Sequence, residues 1–242
     1  GANVAGVHTL EVSTGTLNAA TYTIAKKAGG GTGLTVASGA TMLLGGTTSL
    51  PDFDTYSLNA ASTVEYNGGA QTVRAEQYGH LKLSSAGTKT FASGTTKIAG
   101  DLTVTGTTVD AATNTATVEF NGTGSQTVAA IPYHHLTINK TGGTASLTSG
   151  SNLSMSGNIT VNNAGNLSVS VPTLSVTGAV SISGAGKLQA NASLIDLKGD
   201  WSTLNSTSFT AGTGTVRFSG SAAQTVTATA FNHLIKTGAG TL

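Results

Sequence analysis

Residues 117–136 read TVEFNGTGSQTVAAIPYHHL, and close copies of this stretch occur twice more in the chain. Residues 63–81 read TVEYNGGAQTVRAEQYGHL, and residues 215–234 read TVRFSGSAAQTVTATAFNHL. We call this stretch the cassette; each copy has a Thr-Val-x-aromatic segment, a Gln-Thr-Val triplet and a His-Leu ending. Self-similarity on this scale indicates a repeat architecture, in which each unit buries its apolar face only against its neighbours.

The composition departs from that of an ordinary globular protein. Charged residues make up 9% of the 242 residues, against about 25% in typical domains. The hydrophobic fraction of 38% is enough for a narrow continuous core, and the 33 glycines punctuate it. The net charge of +1 gives no electrostatic basis for binding nucleic acid or an anionic membrane. Because cysteine is absent, the chain offers neither disulfides nor thiolate metal ligands.

Short segments of alternating apolar and polar residues recur along the chain, separated by Gly, Asn and Ser clusters. They return every ~18–23 residues, a spacing that suits one turn of a three-sided parallel β-helix. We therefore predict an all-β parallel β-helix, or β-solenoid, right-handed by default and with about 20 residues per turn. An antiparallel β-sandwich array is the alternative, but its hairpins should show frequent Asn-Gly turns. Only Asn67-Gly68 and Asn121-Gly122 occur, both inside cassettes.

A second marker divides the chain into repeat units. Gly1-Ala2-Asn3-Val4 is similar to Gly150-Ser151-Asn152-Leu153, and a looser copy begins at Gly94. Counting between markers gives the sequence units 1–93, 94–149 and 150–242, which we interpret as parts of one continuous solenoid, 1–242. Residues 236–242 would lead, a few residues short, into the start of another copy. We therefore expect either a longer tandem array or subunits that stack end to end.

One stretch also carries a family resemblance. It consists of LKGDWS at residues 197–202, FTAGTGTVRF at 209–218, QTV at 224–226 and Phe-x-x-Leu at 231–234. These motifs resemble the Gly/Thr/Ser-rich β-solenoid repeats of large secreted bacterial surface proteins of the autotransporter and filamentous-adhesin kind. The resemblance covers nearly the whole chain, although that family usually has Asn where His80, His135 and His233 stand. It implies a structural or adhesive role outside the cell and no catalytic residue.

The cassette histidines His80, His135 and His233 are the most prominent candidate metal ligands. His80 and His135 should lie nearly three turns apart, on the order of 14 Å along the axis. Ligands must lie within ~2.1 Å of one ion, so the three histidines cannot share a metal. We predict turn residues that hydrogen-bond the backbone; if His134 and His135 lie in a strand, they should point to opposite faces. The neighbouring cassette aromatics should pack inside: Tyr78, Tyr133 and Phe231.

Acid–base catalysis on a β-helix would need carboxylates clustered with Arg or Lys on one face. The chain has ten acidic residues, of which Asp52 and Asp54 alternate and could share a face. Glu65 and Glu119 are equivalent cassette positions, but Arg217 replaces them in the third copy, which indicates a solvated strand face. We predict no enzymatic activity, no cofactor and no metal site.

The favoured function is mechanical: an extracellular or bacterial cell-surface fibre segment whose open terminal strands pair with the next unit by β-augmentation. Its partners would be copies of itself or further tandem repeats, with no nucleic acid and no membrane insertion. The predicted end-to-end interface comprises six apolar residues: Val4, Leu10, Val12, Leu234, Ile235 and Leu242. The alternative is the stalk or binding region of a surface adhesin, in which loops such as 26–33, 45–55 or 189–205 contact a glycan or host surface.

Overall fold

The computed structural model describes residues 4–47, 49–227 and 229–242, so the first three residues of the N-terminal marker lie outside the described residues. Every strand pairing within the described ranges is parallel, with partners about 21 residues apart, and the strands form a β-solenoid. The predicted fold and turn length are therefore confirmed, and the antiparallel sandwich is wrong. None of the helices within those ranges has the length and apolarity needed to cross a membrane. The chain divides into two compact units, Gly1–Asp110 and Ala111–Leu242.

The first unit consists of short strands separated by turns. In chain order they are β1 (Val4–Val7), β2 (Thr9–Val12), β3 (Thr16–Asn18), β4 (Ile24–Lys26), β5 (Gly33–Val36), β6 (Thr41–Leu44), β7 (Thr55–Leu58), β8 (Thr63–Tyr66), β9 (Gln71–Val73), β10 (Gln77–Tyr78), β11 (His80–Ser84), β12 (Thr88–Phe91), β13 (Thr95–Ile98), β14 (Leu102–Thr105) and β15 (Thr108–Asp110). One sheet has the order β3-β6-β8-β11-β14, a second β2-β5-β7 and a third β9-β12-β15; β1 pairs with β4, and β10 pairs with β13.

The second unit repeats this plan. Its strands are β16 (Thr117–Phe120), β17 (Gln126–Val128), β18 (His135–Lys140), β19 (Thr144–Thr148), β20 (Leu153–Met155), β21 (Ile159–Asn163), β22 (Asn166–Ser170), β23 (Thr173–Val176), β24 (Val180–Ile182), β25 (Lys187–Gln189), β26 (Leu194–Leu197), β27 (Trp201–Thr203), β28 (Phe209–Thr210), β29 (Thr215–Phe218) and β30 (His233–Lys236), with a 3₁₀ turn at Ser206–Ser208. Three sheets have the orders β16-β18-β21-β24-β27, β17-β19-β22-β25-β28 and β20-β23-β26-β29-β30.

The core of each unit is a set of aliphatic columns, because alternate side chains of every strand point inward. Leu136 pairs in register with Val118 on one side and with Ile159 on the other. All three side chains are fully buried. Consecutive turns therefore bury one another's apolar residues, as the period-two pattern in the sequence predicts.

The cassette is not the structural repeat of the second unit. Its second copy supplies β16 and β18, which belong to one sheet, whereas its third copy supplies β29 and β30, which belong to another sheet. The cassettes begin 98 residues apart, at Thr117 and Thr215. This interval is not a whole number of turns of about 21 residues, so the same sequence comes to lie on a different face.

Candidate functional site

A buried glutamine explains the shared geometry of the cassettes. The Gln71 side-chain oxygen accepts the amide proton of Gly68 at 2.9 Å, and Gln126 and Gln224 make the same bond to their cassette glycines, Gly122 and Gly220, at 3.0 Å. The Gln71 amide nitrogen also donates to the carbonyl of the preceding turn's Leu44. Since an unpaired buried backbone group is costly, this glutamine fixes the Asn-Gly or Ser-Gly turn in place.

Two fully buried lysines complete the first two cassettes. Lys89 donates from Nζ to the carbonyl oxygens of Gly68 and Gly69, both at 2.8 Å, and Lys140 donates to the carbonyl oxygen of Gly122 at 2.8 Å. Burial lowers the pKa of Lys89, because desolvation disfavours its charged form. Their partners are backbone carbonyls and, for Lys140, also the side-chain oxygen of the cassette glutamine Gln126, so we assign these lysines a structural role.

Two of the three cassette histidines act on the backbone of the following turn, as predicted. His233 does not: its Nδ1 lies 3.3 Å from the hydroxyl of Thr215 on the preceding turn. His80 Nδ1 accepts the amide proton of Asp101, and His135 Nδ1 accepts that of Asn158, each at 3.0 Å. Both residues begin strands rather than lie in turns. Each ring packs against a glycine: Gly100 lies next to His80, and Gly157 lies next to His135. A Cβ atom added to either glycine would lie 2.6 Å from the imidazole.

Two details of the histidine prediction need correction or completion. His134 lies just outside β18, so the pair does not meet the condition for opposite faces; the two rings contact edge to face, with centroids 4.3 Å apart. Tyr78 and Tyr133 are fully buried as predicted, but Phe231 is only half-buried.

The equivalent cassette positions Glu65, Glu119 and Arg217 each have a partner on a neighbouring turn. Lys82 Nζ lies 3.2 Å from Glu65, and Arg217 binds Asp196 with two hydrogen bonds of 3.0 and 2.7 Å. Glu119 accepts a hydrogen bond from Asn139 and is buried, so the predicted solvated face is wrong at this position. These residues therefore contribute inter-turn contacts.

The predicted interface residues of the first turn lie on β1 and β2. Val4 is 51% exposed, Leu10 is half-buried and Val12 is buried. Within the described residues, β1 pairs only with β4, and β2 pairs only with β5. Each strand thus leaves one edge open, although Val12 already packs inside the unit.

The predicted interface residues of the last turn lie on or after β30. Leu234 is 43% exposed and Ile235 is half-buried, while Leu242, which follows the strand, is 51% exposed. Among the described strands, β30 pairs only with β29. The last turn therefore combines an open strand edge with exposed apolar side chains.

A cluster of five charged residues in the first unit, hereafter the charged cluster, was only partly foreseen from the sequence. Lys26 Nζ lies 2.7 Å from Asp54 and 3.7 Å from Asp52, so the two aspartates do share a face. Arg74 joins the same group, 2.9 Å from Asp52 and 3.3 Å from Glu76. The cluster holds two cations and three anions, and its formal charge is therefore −1.

Asp54 is the most strongly perturbed group of the charged cluster. Its carboxylate accepts hydrogen bonds from Lys26 and from both the amide and the hydroxyl of Thr32, the latter two at 2.9 Å. These donors hold the pKa of Asp54 well below its usual range. The Arg74 guanidinium also lies over the ring of Tyr56, 5.0 Å from its centroid. Every acid here already has a basic partner, so none is placed as a free general base.

A cleft of about 500 Å³ opens beside the charged cluster. Its apolar walls are formed by five residues: Ala19, Ile24, Leu44, Leu50 and Pro51. Tyr22, Lys26 and Asp52 lie at its mouth, where Tyr22 is 38% exposed and the Asp52 side chain 69% exposed. An apolar concavity with a few convergent polar groups is the usual form of a ligand site. The sequence pointed to the adjoining loops 26–33 and 45–55 as possible binding loops but not to a cleft; further signals were Gly45-Gly46 and Pro51, which interrupt a strand pattern.

Comparison with known proteins adds no assignment: no family model, no curated protein and no solved structure matches this chain.

Proposed function

We propose that the chain is a structural segment of an extracellular or bacterial cell-surface fibre, extended by copies of itself or by further tandem repeats. The observation that carries the proposal is the exposure of one leucine. Leu81 and Leu136 end the first two cassettes and are 0% exposed, whereas Leu234 ends the third and is 43% exposed. A further turn over β30 would bury Leu234 as its two counterparts are buried.

The energetics favour such an extension. Full burial of a leucine side chain stabilises by about 1.5–3 kcal/mol, and Leu234 already lies partly inside. An added strand would also pair with the open edge of β30, which would satisfy backbone groups that otherwise depend on water. At the start of the chain, the open edges of β1 and β2, with Val4 exposed and Leu10 half-buried, form the complementary surface.

The extracellular location is part of the same proposal. It is supported by the low charge, the abundance of Gly, Thr and Ser, and the motif resemblance at residues 197–234. We propose no catalytic role, because the acids of the charged cluster are paired with Lys26 and Arg74. The alternative, a binding region of an adhesin, draws its support from the cleft in the first unit.

The test is the assembly state of the isolated chain. We expect light scattering and electron microscopy to show end-to-end oligomers that lengthen with protein concentration. Leu234→Asp should abolish them, because a carboxylate would be buried unpaired in the contact. Leu204→Asp is the control, since Leu204 is 67% exposed and is not part of β30. A chain that stays monomeric at high concentration, or equal effects of both substitutions, would contradict the proposal.

A further inference from the structure

The cleft lies where the first unit lacks a strand. In this unit β4 lies in the chain between β3 and β5, β9 between β8 and β10, and β12 between β11 and β13. Between β6 and β7, none of the described residues, 45–47 and 49–54, lies in a strand. As a result β4 pairs only with β1, and β9 pairs only with β12. Among the described residues, one strand position beside β4 is therefore vacant.

The backbone of β4 points toward this vacant position. Thr23 accepts the amide proton of Val4 at 3.0 Å, and Lys27 donates to Val7 at 2.8 Å. Because alternate residues of a parallel strand bond to opposite sides, the N–H and C=O groups of Ile24 and Lys26 face away from β1. Both residues line the cleft. The cleft thus contains two residues of unpaired strand edge.

The described residues of the loop, 45–47 and 49–54, contribute to the core at this level but do not pair with β4. Leu50 and Phe53 are buried, whereas Pro51 has no N–H to donate. On the far side of the vacant position, the Ser49 hydroxyl donates to the carbonyl of Thr72 in β9. The described part of the loop therefore supplies a hydrogen-bond donor to β9 but no strand partner to β4.

We propose that the cleft binds an extended peptide segment, which adds as a parallel or antiparallel strand to β4. Its main chain would pair with Ile24 and Lys26, and an aliphatic side chain would enter the space between Ile24 and Leu50. This is recognition by β-augmentation, in which main-chain bonds give affinity and a side-chain pocket gives specificity. The charged cluster carries a formal charge of −1, so acidic segments are disfavoured.

A peptide fits this site better than a carbohydrate. The open groups are backbone donors and acceptors at the spacing of a strand, which another main chain matches residue by residue. A sugar would instead need the side chains at the mouth, but Lys26 is bonded to Asp54, and Asp52 is bonded to Arg74. The inference does not depend on end-to-end stacking, because β4 lies away from β30 in sequence and pairs within the first unit.

The experiment measures how tightly one peptide binds to the parent chain and to two variants substituted at Lys26. The probe is acetyl-Thr-Val-Thr-Val-Thr-amide, titrated into the ¹⁵N-labelled chain while amide shifts are followed by NMR. We expect saturable shifts at Ile24, Lys26 and Leu50, which Lys26→Ala should retain because it keeps the amide proton. Both substitutions remove the Lys26 ammonium and its ion pairs with Asp52 and Asp54. Relative to Lys26→Ala, Lys26→Pro also removes an N–H that is not bonded to β1, and it should weaken binding at least about tenfold.

The same titrations contain the results that would overturn the proposal. Unchanged affinity in Lys26→Pro, with its other amide shifts intact, would mean that the peptide binds another edge such as β30. An absence of shifts with the peptide would also overturn it, as would saturable shifts at Tyr22 and Asp52 with chitotriose alone. If end-to-end assembly fails but the β4 shifts persist, the two proposals are separated.

Discussion

The imidazole of His135 accepts, at Nδ1, the backbone amide proton of Asn158 on the next turn, at 3.0 Å. His80 and Asp101 repeat this relationship at the same distance in the first unit. In both places the ring packs against a glycine of the following turn, Gly157 or Gly100. A side chain from one turn thus supplies the acceptor that the start of the next strand needs.

We expect Gly157→Ala to destabilise the protein. The new methyl group would come within 2.6 Å of both the His134 carbonyl oxygen and the His135 ring, and the backbone oxygen cannot move freely. Overpacking of this kind costs about 1–3 kcal/mol. Denaturant unfolding measures the change. Gly150→Ala is the control, because nothing lies within 4 Å of its added methyl group; equal stabilities for the two variants would refute the packing argument.

Acidification should destabilise the second unit through His135. Burial, and then the neighbouring His134, lower the pKa of His135 below its ordinary value of 6.5. The folded state therefore favours the neutral ring, whose Nδ1 accepts the amide proton of Asn158. In the protonated ring Nδ1 carries a proton, so two hydrogen-bond donors would face each other. This contribution to the free energy of unfolding is present above the pKa that His135 has in the unfolded chain. It is lost as the pH falls from that value to the lower pKa of His135 in the folded chain.

The free energy of unfolding, measured from about pH 7.5 to about pH 5, should fall less steeply in His135→Gln than in the parent chain. An NMR titration of His135 checks the direction independently. A midpoint above 6.5 would contradict the mechanism.

Lys89 should be required for the stability of the first cassette. Lys89→Met keeps most of the volume but leaves the buried carbonyl of Gly68, and the more exposed carbonyl of Gly69, without their donor. Each unsatisfied buried group costs about 1–3 kcal/mol. The exposed Lys97 provides the control, since Lys97→Met should change the free energy of unfolding by less than about 0.5 kcal/mol. Matching effects would show that loss of charge alone is responsible.

The ion pair between Asp196 and Arg217 should couple β26 to β29. Its two hydrogen bonds form a bidentate contact, but the Arg217 side chain is 34% exposed, so solvent screening limits the gain. A double-mutant cycle with Asp196→Asn and Arg217→Gln should give a coupling of about 0.5–1 kcal/mol. The coupling should shrink at about 1 M salt. If the effects of the two single substitutions on the free energy of unfolding simply add, the predicted coupling is contradicted.

The cassette sequence was informative because its contacts are largely local. The side chain of Gln71 bonds to the amide of Gly68, only three residues away, and Tyr78 follows in the same turn. These contacts within the cassette depend little on distant residues. The inward direction of Val118, Leu136 and Ile159 followed from period-two alternation. The partner of Glu119 could not be read in the same way, because Asn139 lies on the next turn and its register depends on the intervening loop.

The vacant position beside β4 could not be predicted from the sequence. Residues 45–54 contain enough apolar residues to pass for a strand, with Leu50 and Phe53 both buried. Whether such a segment pairs with β4 or bulges away depends on how Gly45, Gly46 and Pro51 direct the chain. That outcome is a competition between local backbone preference and inter-turn pairing, which no single window of sequence contains.

The sequence by itself determined the strands, the parallel solenoid and the buried side of each strand, because these follow from spacing and alternation along the chain. Only the tertiary structure decided which sheet each cassette joins, where β4 is left open and which turn supplies each partner of His80, Lys89 and Arg217. The physical reason is that a turn has no fixed length: one residue more or less in a loop changes the register between neighbouring turns, and the inter-turn contacts change with it.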